Sequence, residues 1–216
     1  MAKHLSGRAL NFIKRQERNK DYEISMDVLE KHLTFYHLQD SSEIIRFQEN
    51  FAGLNIQDIV IYIFTSKQVK EHKGITIYHW NEQVLFPIND SFYIAENGEI
   101  AFRDCGCNSW DFYFYYESFE TFLEQQAFFE EHQYYKYLSG LEDFDIICNI
   151  HLVKEYFSDY DFVSECSDKY HLVWKNGLNL VHARNYSGDW VISFDGISED
   201  SHYNLIKNLK TKKLIE

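Results

Sequence analysis

Phe92-Tyr93-Ile94-Ala95-Glu96-Asn97-Gly98-Glu99-Ile100-Ala101-Phe102-Arg103 places Asn-Gly between two apolar, aromatic runs. That pattern predicts a β-hairpin with a type I′ turn, because both central residues of such a turn take positive φ. A hairpin implies an antiparallel sheet, and the flanking segments extend it. Residues 110–116 read as an aromatic strand, with Trp110, Phe112, Phe114 and Tyr116 on one parity and Asp111, Tyr113 and Tyr115 on the other. Ser118 then caps a helix to about residue 132, with Phe119, Phe122, Leu123 and Ala127 facing inward. Upstream, residues 75–80 and 83–88 read as two more strands, and Pro87 puts the second near an edge or end. The continuously apolar residues 59–64 predict a strand buried on both faces.

Helical spacing dominates before this region. Residues 3–20 predict a basic helix, residues 23–36 carry Leu29, Leu33 and Tyr36 on one side, and residues 40–53 place Ile44, Phe47 and Phe51 together. Asp40 and Glu43 have capping-box spacing, and Gly53 is positioned to end the helix. The tail repeats the style. Residues 149–160 predict a helix through Leu152, Val153, Tyr156 and Phe157. Asn176-Gly177 joins two strand-like runs, residues 190–194 form a third, and a helix follows over 199–210. The expected class is α+β: a mostly antiparallel sheet with flanking helices, plus a smaller C-terminal α+β segment. The organisation drawn from sequence is a basic helix or arm at 1–21, an α+β domain at 22–133 and a C-terminal subdomain at 134–216, with Gly140 as the only strong punctuation between the last two.

The 216 residues carry a net charge of −13, unevenly spread. Residues 1–20 hold Lys3, Arg8, Lys14, Arg15, Arg18 and Lys20 against Glu17, a local +5 that leaves −18 on the remainder. A body this acidic repels phosphate backbones, so no direct nucleic-acid binding is expected, and it attracts basic proteins. No apolar run reaches bilayer length and no apolar segment follows the first basic residues, so neither a membrane nor export is expected. Four cysteines without an export signal suggest free thiols in a cytoplasmic, reducing setting. Cys105-Gly106-Cys107 lacks the second ligand pair that a structural zinc site needs.

Catalytic patterns are sparse. Asp58, Glu71 and Lys73 fit a nuclease-like acid then Glu-x-Lys order, yet Lys67 to Lys73 reads as a polar loop where that chemistry needs a strand. His151 and Glu155 share helical spacing, but no second ligand pair accompanies them, so no metal and no cofactor is expected. No Gly-x-Ser-x-Gly elbow and no phosphate-cradling glycine loop occurs. The favoured surface chemistry lies instead in Asp111, Tyr113, Tyr115, Glu117, Glu120 and Glu124, where stiff aromatic area adjoins carboxylates able to pair with arginine or lysine.

Two stretches resemble the SUKH superfamily, which includes many bacterial toxin-immunity proteins. The first, Ile44-Ile45-Arg46-Phe47-Gln48-Glu49-Asn50-Phe51-Ala52-Gly53-Leu54, is similar to the family's helix ending in an aromatic, a small residue, Gly and Leu, with Ala52-Gly53 where Gly-Gly is usual. The second, residues 92–124, is similar to its late hairpin and closing helix. The resemblance implies an α+β fold, no enzyme activity, and an immunity protein that binds a cognate toxin; it transfers no functional residue set. The expectation is therefore a non-catalytic binding protein that sequesters a basic toxin domain. An intracellular adaptor and a metal-dependent hydrolase are the alternatives, and the sequence leaves oligomeric state open.

Overall fold

The computed structural model describes residues 4–103, 111–135 and 145–216. The chain divides into two compact units, Leu10–Phe119 and Met1–Ala9 together with Glu120–Glu216. Helix α1 (Gly7–Arg15) carries the chain from the second unit into the first. Both units combine helices with antiparallel sheet, an α+β protein.

In the Leu10–Phe119 unit, α2 (Met26–Leu33) and α3 (Ser42–Phe51) precede a short hairpin of β1 (Asn55–Ile56) and β2 (Ile59–Val60), then α4 (Ser66–Lys70). A five-stranded meander follows: β3 (Tyr78–Trp80), β4 (Gln83–Pro87), β5 (Phe92–Ala95), β6 (Ile100–Arg103) and β7 (Phe112–Tyr116), each strand antiparallel to the next. The sheet curls until its ends meet. Tyr78 of β3 and Phe112 of β7 bring their ring centroids to 5.3 Å, and Trp80 lies 6.0 Å from the same ring. Leu85, Tyr93, Ala95, Ala101 and Phe112 fill the concave side. On the other side, Phe86 packs against Tyr36 at 5.3 Å and Phe64 at 6.1 Å, while Phe47 and Phe51 of α3 meet Phe119 at 4.9 and 5.0 Å. Large rings at these spacings, edge-on or tilted, pack with favourable geometry beyond their area burial.

The 59–64 segment corrects the sequence expectation. Only Ile59 and Val60 are strand, and Ile59 is exposed. Ile61, Ile63 and Phe64 are buried, but their backbone is satisfied without a long neighbouring strand. The buried Gln48 of α3 accepts from the Ile63 and Phe64 N–H groups, both at 3.1 Å, and donates to the Tyr22 and Phe64 carbonyls, both at 2.9 Å. An amide side chain thus takes the place of a ladder. Of residues 67–73, expected as loop, 67–70 are helical, in α4, whose start Thr65 and Gln68 fix with a capping box. Gly53 has φ +83, and a Cβ there would lie 2.3 Å from the Asn19 carbonyl oxygen; its N–H donates to Ile61 and its carbonyl accepts from Asn19, so it ties three segments together.

The second unit contains α5 (Phe119–Glu131, all but its first residue), β8 (Asp145–Ile146), α6 (Ile150–Tyr156), β9 (Asp161–Phe162), β10 (His171–Lys175), β11 (Asn179–Tyr186), β12 (Asp189–Gly196) and α7 (Glu199–Thr211). Its sheet runs β8-β12-β11-β10-β9, antiparallel throughout. One face, through Trp174, Val181, Ala183, Ile192 and Phe194, packs with Val153 and Phe157 of the α6 region and Leu205 and Leu209 of α7. Leu152, part of the apolar spacing that predicted this helix, is exposed. Val173 and Leu180, on the opposite face, cluster with Phe128 of α5, Tyr135, Val163 and Cys166. This packing places α5 with the C-terminal sheet, so the division falls at 119/120 and within α1 rather than at 133/134 and 21/22. Gly140 lies outside the described residues.

The turns depart from the Asn-Gly expectation. Only Gly98 of Asn97-Gly98 has positive φ, and the Ala95 carbonyl accepts from Gly98 while the Ala95 N–H donates to Glu99, giving a three-residue loop closed by a left-handed glycine. At Asn176-Gly177 neither residue has positive φ; the Asn176 side chain accepts from the Leu178 and Asn179 N–H groups instead. The two-residue loops with both central residues at positive φ are Gln57-Asp58, Asn81-Glu82 and Ser187-Gly188.

Candidate functional site

The aromatic strand β7 positions the first candidate residues. Across β5, β6 and β7, Phe92 pairs with Phe102, and Phe102 pairs with Tyr113, so three aromatic side chains stand side by side on one face. A register shift between Ile100 and Ala101 inserts one extra residue into β7, and Tyr115 turns to that same face. Its ring lies 6.5 Å from both Phe92 and Phe102, which are themselves 5.6 Å apart. Simple alternation therefore fails at the bulge: Tyr116, expected with Phe112 and Phe114, pairs with Ile100 on the opposite side. Phe92, Phe102, Tyr113 and Tyr115 are all half-buried, as is Asp111, and Glu117 is exposed. The result is an aromatic row with a carboxylate before and after the strand. Phe92 and Phe102 were missed from sequence, although their placement on opposite arms of one hairpin was the available signal. Trp110 lies outside the described residues.

Glu120 and Glu124 do not join this row. Both are in α5, in the other unit, at 3% and 2% exposure. Glu124 accepts from the Ser6 N–H and, at 2.7 Å, from the Ser6 hydroxyl, while Ser6 Oγ accepts from the Ala9 N–H at the start of α1. Its carboxylate fastens a helix start rather than facing a partner. Gln125 likewise donates to the Cys166 carbonyl at 2.8 Å. Glutamates expected on a solvated helix face are internal because α5 is covered on more than its apolar side: Thr121, Gln125 and Phe128 are buried too.

The C-terminal sheet holds a second polar group. His171, His182, Arg184, Ser193 and Asp195 lie on the α5-facing side of β10, β11 and β12 by register. His171 Nδ1 and His182 Nε2 are 2.9 Å apart, so one ring donates to the other. Burial first, then His171 and Arg184, holds His182 well below the ordinary histidine range. Burial alone pushes Asp195 up to about 7, and its Oδ1 has no hydrogen-bond partner among the described residues. Ser193 donates to the His182 carbonyl at 3.4 Å rather than to an imidazole.

The remaining sequence candidates stay apart. Glu71 pairs with Lys73 at 2.6 Å after α4, whereas Asp58 sits in the β1–β2 turn. His151 and Glu155 are exposed on α6. Among the described residues no three His, Cys, Asp or Glu side chains gather to hold a metal ion. Cys148 and Cys166 are free thiols, exposed and buried respectively, and Cys105 and Cys107 lie outside the described residues. No described helix is long and apolar enough to cross a membrane. No family model, curated protein or solved structure matches the chain.

Proposed function

We propose that this chain is a non-catalytic protein-binding protein that sequesters a basic partner, in the manner of SUKH-type immunity proteins acting on a cognate toxin domain in the cytoplasm. The observation that carries the proposal is the half-buried row of Phe92, Phe102, Tyr113 and Tyr115, with Asp111 and Glu117 before and after it. Rigid aromatic side chains lose little entropy on contact and dominate interface energetics, while flanking carboxylates select basic partners and speed encounter. The −18 on the chain beyond residue 20 supports the same reading, as does the resemblance of residues 44–54 and 92–124 to that family. Inhibition would be stoichiometric, by occlusion.

The test is affinity capture from source-organism lysate with wild type and with Phe102→Ala/Tyr113→Ala. A basic protein retained near one-to-one by wild type, and held at least about 30-fold more weakly by the variant, is the expected result. Equal retention by both would remove the aromatic row from the interface.

A further inference from the structure

A shallow groove opens between α2 and the start of α3. Met26 and Glu30 line it from α2, and Asp40, Ile45, Arg46 and Glu49 line it from the other side. Met26 is 48% exposed and Ile45 forms a closed apolar floor. Arg46 is turned to Glu43, which accepts from both its Nε and a terminal nitrogen. Glu30, Asp40 and Glu49 have no cation partner among the described residues; Asp40 accepts from Ser42, whose N–H lies at 2.8 Å and whose side chain also bonds to it. These carboxylates do not converge as metal ligands would. An occupant must therefore bring positive charge at the end of an apolar stem, so that the stem covers Met26 and Ile45 while the tip reaches the carboxylates.

We infer that this groove docks a lysine- or arginine-bearing segment of the protein partner. The inference rests on the reading of the chain as a binder of a basic protein, and it adds a contact separate from the aromatic row. Charge complementarity makes the choice: an acidic peptide would meet three like charges, and an uncharged apolar one would leave those carboxylates beside a closed surface.

The chain has two methionines, Met1 and Met26, so the Met26 methyl is a single groove reporter in a ¹³C-methyl methionine NMR spectrum. The probe is a capped Leu-Lys-Leu-Lys peptide, with Leu-Glu-Leu-Glu as its counterpart. The lysine peptide should shift the Met26 methyl saturably, and roughly tenfold more weakly at 500 mM than at 50 mM salt. Glu30→Gln/Glu49→Gln should weaken it about tenfold as well. No saturable shift, an equal shift from the glutamate peptide, or unchanged affinity in the variant would each overturn the inference. Failure here leaves the aromatic row untouched, because that is read by partner retention in Phe102→Ala/Tyr113→Ala.

Discussion

Gln48 illustrates how much a single side chain can hold. It closes four hydrogen bonds to backbone groups of Tyr22, Ile63 and Phe64, in a helix otherwise lined with Ile44, Phe47 and Phe51. Gln48→Met keeps the volume and strands those groups, and should lower stability by about 3–5 kcal/mol in urea unfolding; a loss under about 1 kcal/mol would mean water replaces the amide. The signal was present in sequence, since Gln48 stands four residues after Ile44 on the apolar stripe, but a polar residue there does not reveal its partners. Asp195 and the histidines give opposite pH slopes. An acid whose folded value is raised from 3.8 to about 7 makes the folded state hold its proton longer, so stability falls as pH climbs through that window. His182 and His32 are both held below 6.5, chiefly by burial, so they stay neutral when folded and their contribution is lost as pH falls below 6.5. Asp195→Asn should therefore stabilise above pH 7, by up to about 4 kcal/mol, and remove the decline between pH 3.8 and about 7 that Asp195 causes. Unchanged stability at pH 8 would contradict a buried, unpartnered carboxyl.

Turns and strands show what local pattern can and cannot specify. Both Asn-Gly pairs mark hairpins, as expected, because they separate apolar runs; neither makes the expected turn, because the first loop is three residues long and at the second the Asn176 side chain accepts from the Asn179 N–H. The type I′ geometry falls at Gln57-Asp58, Asn81-Glu82 and Ser187-Gly188, where tight register between short strands imposes it. Five of those six residues carry a Cβ in the left-handed region, which disfavours them. Glu82→Gly should raise the melting temperature by several degrees, corresponding to about 1 kcal/mol; a fall would show that the Glu82 side chain makes an offsetting contact. At Gly98 the opposite holds. Its φ is +88 and a Cβ would approach a Glu43 carboxylate oxygen to 2.8 Å, so Gly98→Val should destabilise, by about 2 kcal/mol or more. The bulge in β7 was invisible to alternation, and it is what sets Tyr116 opposite Ile100 instead of on the side of Phe112 and Phe114.

At the level of the entire chain, α+β class and antiparallel pairing were readable because the alternation of aromatic runs with turn residues has few other solutions. The division into units was not, because α5 carries glutamates that look solvated and are buried. The acidic candidate set accordingly separates: Tyr113 and Tyr115 lie on one strand with Asp111 and Glu117 at its two ends, and Glu124 serves α1 instead. Charge reversal at Glu124 should unfasten α1 and cannot report on partner encounter, whereas Glu117→Lys should slow association at 50 mM salt and much less at 500 mM. The most direct trial is a titration of the captured partner's own toxic or enzymatic activity with increasing protein, wild type beside Phe102→Ala/Tyr113→Ala. Complete loss of activity is expected at one equivalent of wild type, with a large excess of the variant needed to match it. Activity that persists beyond one equivalent of wild type, or falls identically with both proteins, would contradict it.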